Sequence, residues 1–86
     1  MMNWRTLITE AMQECKENWP DVVACTLTDQ ELDKPFSDDY GGTEGKSFTL
    51  WTVHRVYFPV VYDGAEWCAS VSRNPDRTPT CHVGGQ

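Results

Sequence analysis

The chain has no surplus of positive charge. Of its 86 residues, seven are Lys or Arg and thirteen are Asp or Glu, for a formal net charge of −6. Nucleic-acid backbones are bound by Lys and Arg neutralising phosphates, so direct nucleic-acid binding is not expected. An anionic membrane surface is an equally poor partner. A long apolar run is also missing. Glu10, Glu14, Lys16 and Glu17 break up the first nineteen residues, which read as neither a signal peptide nor a membrane span. A cytoplasmic, reducing location is therefore the expectation. The four cysteines, Cys15, Cys25, Cys68 and Cys81, contain no CxxC pair, so free thiols are expected rather than a zinc knuckle or disulfides. There is no P-loop, GxGxxG, GxSxG or HExxH. A non-enzymatic protein without a cofactor is expected.

What the chain does have is aromatic bulk. Four Trp, three Tyr and three Phe are enough for one small core and argue against disorder. The length fits a single domain, 1–86. Trp4, Leu7, Ile8, Ala11, Met12, Cys15 and Trp19 recur at helical spacing, with Glu10, Glu14 and Glu17 among the residues on the opposite side. Asn3 is a suitable N-cap and Pro20 a terminator, which predicts a helix over 3–18. Residues 21–28 carry Val22, Val23, Ala24, Cys25, Thr26 and Leu27, a β-rich run that reads as a central or well-covered strand.

The composition then changes. Residues 29–45 hold six carboxylates against Lys34 alone, and so account for five of the six net negative charges. Pro35, Gly41, Gly42 and Gly45 make this a long acidic loop, with one helical turn at 29–32. An EF-hand loop starting at Asp29 needs Gly at position 34 and Glu at 40, where the chain has Lys34 and Tyr40, so calcium binding of that kind is excluded. From residue 46 the pattern is β. Residues 48–53 form one strand, His54-Arg55 a bend, and 56–62 and 65–71 a hairpin around Asp63-Gly64. That turn sets the register: Tyr62 faces Ala65, Val60 faces Trp67, Phe58 faces Ala69 and Val56 faces Val71. All eight share one apolar face, which the helix is expected to cover. The other face, with Tyr57, Val61, Glu66 and Cys68, is mixed. Residues 72–86 read as a coil tail. The fold class is α+β: an N-terminal amphipathic helix on an antiparallel sheet of three to four strands, αββββ, with the acidic loop after the first strand.

The stretch 55–67, with Arg73-Asn74-Pro75 and His82-Val83-Gly84-Gly85, resembles the C-terminal half of small uncharacterised proteins carried by tailed phages and prophages of enteric bacteria. The motif is a hairpin, so no activity carries over. The resemblance implies an accessory protein of a mobile element that acts by binding a host or phage protein.

The leading functional expectation is a module that binds another protein. Its candidate contact residues are Asp33, Phe36, Asp38, Asp39 and Tyr40 in the loop, and Tyr57 and Val61 on the mixed face. An alternative is an acidic nucleic-acid mimic that inhibits a DNA- or RNA-binding enzyme. A third is a small metal or thiol site at Cys68, Cys81 and His82. Exposed sheet edges leave monomer and homodimer both open.

Overall fold

The helix is shorter than its apolar stripe, and the way it ends decides the rest of the fold. A computed structural model of the chain describes residues 3–36, 45–62, 65–75, 77–80 and 82. Helix α1 runs Trp4–Glu14, with the Asn3 side chain accepting from the Thr6 amide as its cap. It stops at Glu14 rather than at residue 18. Lys16 turns into the left-handed region at φ 60°, its amide donates to the Gln13 carbonyl, and the Glu17 amide donates to the Met12 carbonyl at 2.8 Å. This paired arrangement satisfies the last carbonyls of the helix. Chain reversal thus precedes Pro20, which sits instead in a 3-10 turn, Trp19–Asp21.

The sheet has four strands: β1 Val22–Cys25, β2 Leu50–Thr52, β3 Arg55–Tyr62 and β4 Ala65–Ser72. They lie in the order β1-β2-β3-β4, with every neighbouring pair antiparallel. The β3–β4 register is the one the sequence predicts, with Val56 opposite Val71, Phe58 opposite Ala69, Val60 opposite Trp67 and Tyr62 opposite Ala65. The Asp63-Gly64 turn itself lies outside the described residues. Strand β1, expected to be central or well covered, is instead an edge. A bulge between Val22 and Ala24 makes Val23 an extra residue, 56% exposed. A bulge on an edge strand disturbs the row of free backbone groups that would otherwise invite pairing.

Thr28 caps a short second helix, α2 Asp29–Asp33. Its hydroxyl accepts the Glu31 amide, and the Glu31 carboxylate accepts the Thr28 amide. The core lies between α1 and one sheet face. Trp4, Ile8 and Met12 from the helix meet Leu50 and Tyr57 from the sheet, with Leu32, Phe36 and Phe48 closing one end. Trp4 is the hub. Its ring centroid is 4.9 Å from that of Phe36 and 4.8 Å from that of Phe48, and its indole N–H donates to the Lys46 carbonyl.

The helix lies on the opposite sheet face from the one expected. It covers Leu50, Thr52, Tyr57, Glu66 and Cys68, all of which are buried, and leaves Phe58, Val60 and Trp67 half-exposed. The reason is chemical. The polar groups on the covered face are matched by partners. Glu17 reaches Tyr57 and Thr52, and the Gly45 amide donates to both oxygens of Glu66 at 3.1 Å. Satisfied polar groups are compatible with burial. Among the described residues, no helix is long and apolar enough to cross a membrane.

Candidate functional site

The covered and uncovered faces offer different chemistry. On the covered face, Glu17 projects from the chain reversal after α1 into the interior and is 7% exposed. Its carboxylate accepts the Thr52 hydroxyl at 2.8 Å and the Tyr57 hydroxyl at 2.5 Å. Burial, reinforced by the bond to Glu17, pushes the Tyr57 hydroxyl well above its ordinary pKa. Beside this group the Cys15 thiol lies 3.5 Å from the Ser70 hydroxyl, which also accepts from the Arg55 guanidinium at 2.8 Å. Both carboxylate oxygens of Glu17 are engaged by neutral donors. The cluster therefore locks the end of α1 to β2 and β3 and does not present a free base.

Tyr57 is accordingly corrected from an exposed contact to a core residue, 0% exposed. Phe36 is corrected as well, since it is buried against Trp4. Asp33 lies on α2, where Arg5 donates to it at 2.5 Å and also reaches Asp29. Val61 remains exposed near the end of β3. Asp38, Asp39 and Tyr40 lie outside the described residues. Of the third candidate set, Cys68 is buried on β4 and desolvation pushes its thiol up to about 12, so it is protonated at neutral pH and a poor nucleophile. His82 is exposed and Cys81 lies outside the described residues. No cluster of three or more metal-ligating side chains occurs among the described residues.

The uncovered face is the feature that sequence reasoning assigned to the interior. Ladder pairing puts Trp51 beside Val56, Val56 opposite Val71, Phe58 opposite Ala69 and Val60 opposite Trp67 on this side. Each of these seven residues is half-exposed. The charged residues of the described strands, Arg55 and Glu66, project to the other side, following the same alternation. Neither α1 nor α2 lies on this face. An antiparallel sheet with one solvated face ordinarily alternates apolar-in and polar-out. Here the charged strand residues lie on the covered face, and the apolar set lies outside. At about 3.3 Å per residue and about 4.8 Å between strands, the β3–β4 part with its β2 flank spans on the order of 300–400 Å². The largest apolar patch on a typical monomer is of about that size and is often functional.

The acidic segment carries less free charge than its composition implies. Asp29 and Asp33 pair with Arg5, and Glu31 pairs with Lys46. The Lys46 ammonium and the Thr28 amide hold the Glu31 carboxyl down to about 2. No family model, curated protein or solved structure matches the chain.

Proposed function

We propose that the protein is a non-enzymatic binding module that docks a protein partner on the uncovered face of its sheet. The observation that carries this reading is that, among the described residues of the strands, the half-exposed surface built from Trp51, Val56, Phe58, Val60, Trp67 and Val71 carries no charged side chain. Aromatic side chains there offer large contact area at little conformational-entropy cost. A face of this extent corresponds to a small, reversible interface rather than an obligate one. It falls short of what a stable homodimer buries, whereas a transient contact with another protein needs less area. An accessory role in a mobile element, implied by the C-terminal resemblance, is compatible with such binding.

The nucleic-acid mimic draws less support, because three carboxylates of the acidic segment are paired within the molecule. The test is affinity capture from a bacterial lysate with the wild type and with a Val60→Lys/Val71→Lys variant. A partner held by the wild type and lost by the folded variant is the expected result. Equal retention by both sinks the reading.

A further inference from the structure

The chain carries almost twice as many acidic as basic residues, yet three of its four arginines line one cleft. Arg55 opens β3, Arg73 follows β4, and Arg77 lies beyond it in the tail. Together with Ser70, Ser72 and Thr80 they line a cleft of about 580 Å³. Its described lining contains no acidic residue.

None of the three arginines has a carboxylate partner among the described residues, where the ion pairs belong to Arg5 and Lys46. This is unusual in a protein of net charge −6, where any mobile cationic side chain has many carboxylates to choose from. Two of the guanidiniums are held in place by neutral acceptors instead. Arg55 donates from Nε to the Ser70 hydroxyl at 2.8 Å and from Nη2 to the Ser70 carbonyl at 3.2 Å. Arg73 donates from Nη1 to the Thr52 carbonyl at 3.0 Å, and its own amide donates to the His54 carbonyl at 2.8 Å. Each is thus anchored through part of its donor fork and keeps further N–H groups to offer a ligand. Arg77 is exposed, with its backbone in the left-handed region at φ 63°. Asp76, the sequence neighbour of Arg77, lies outside the described residues.

Pre-anchored guanidiniums favour anions that accept two hydrogen bonds side by side, and they lose little side-chain entropy on binding. The Thr80 hydroxyl on the same wall adds a neutral donor, whereas that of Ser72 is already given to the Asn74 carbonyl at 2.5 Å. We infer that the Arg55–Arg73–Arg77 cleft is a binding site for a small phosphoryl-bearing anion. It borders the apolar sheet face at Val71, which lines both, but does not depend on the docking reading.

The test is an NMR titration of the isotope-labelled full chain with inorganic pyrophosphate and, separately, with ADP. Sodium chloride of matched ionic strength is the control, and the background salt is low, about 20 mM, to limit screening. Saturable shifts of the backbone amides of residues 70–73, 77, 78 and 80 are expected, absent with chloride. Arg77→Ala and Arg73→Ala should each weaken binding about tenfold, the loss of one charge-assisted contact. Lys34→Ala, an equal charge change on an exposed residue beyond α2, should change it less than about twofold. Equal affinity for pyrophosphate and ADP assigns the free phosphoryl group as the recognised element. Tighter ADP binding adds contacts to the nucleoside. Non-saturable shifts with both anions, or equal weakening by Lys34→Ala and Arg77→Ala, overturn the site.

Discussion

The Tyr57 hydroxyl donates a 2.5 Å hydrogen bond to the Glu17 carboxylate, joining residues forty positions apart in the interior. Thr52 donates to the same carboxylate from β2. One side chain from the reversal after α1 thereby fixes the helix against two strands. Replacing Tyr57 by Phe removes one hydrogen bond to a charged acceptor and should cost about 1.5–3 kcal/mol. Glu17→Ala leaves two buried hydroxyls without their acceptor and should cost about 2–4 kcal/mol. Urea unfolding of both variants checks this order. An unchanged midpoint in Glu17→Ala would show that the cluster holds nothing together.

The raised Tyr57 hydroxyl adds a pH dependence. Below the unfolded tyrosine value of 10.0 both states carry the proton, so the contribution is fully present. Above it the unfolded chain releases a proton that the folded chain retains, and stability falls as pH rises. Thermal unfolding across pH 9 to 11 should show a steeper decline for the wild type than for Tyr57→Phe. Parallel curves would contradict the assignment.

Lys16 occupies a left-handed conformation at the helix reversal, where a β-carbon is unfavourable and glycine is not. Lys16→Gly should therefore stabilise the protein by about 0.5–1 kcal/mol, read as an upward shift in the urea midpoint. Gly45 presents the opposite case. A β-carbon there would stand 2.6 Å from the Trp4 ring and 2.8 Å from the Glu66 carboxylate. Gly45→Ala should destabilise by about 1–3 kcal/mol through overpacking.

Much of this architecture was legible in the sequence, and what was not had physical causes. The β3–β4 register followed from Asp63-Gly64 and from alternation, because a one-residue slip exchanges every side chain between faces. Alternation fixes which residues share a face and says nothing about which face a helix will cover. That choice turned on Glu17, read as exposed when helical spacing was extended too far. Lys16, where the chain leaves the helix, carries none of the usual glycine signal. The Thr28–Glu31 capping box was a readable sign of α2 in the form Thr-x-x-Glu. The arginine cleft had no such sign, since it depends on how residues 73–80 return past Arg55.

At the acidic end, Glu31 supplies a second pH dependence. Its carboxyl is held down to about 2 by Lys46 first and the Thr28 amide second, against an ordinary value of 4.5. The contribution is complete above the unfolded value and is lost as pH falls from about 4.5 toward about 2. Glu31→Gln should lose less stability over this interval than the wild type. Added salt should narrow the difference, because the pair is exposed. Thermal melts between pH 5 and 2 at two salt concentrations measure both effects.

The central claim is that the apolar sheet face docks a partner, and adjacent residues of β3 can test it. Val60 lies on the uncovered face, while Val61 is exposed on the other side near the end of the strand. A photo-crosslinking side chain placed at one or the other position samples the two surfaces with little change in chain position. The account predicts one discrete protein adduct from position 60 and none from position 61. Adducts from position 61 with none from position 60 would contradict it.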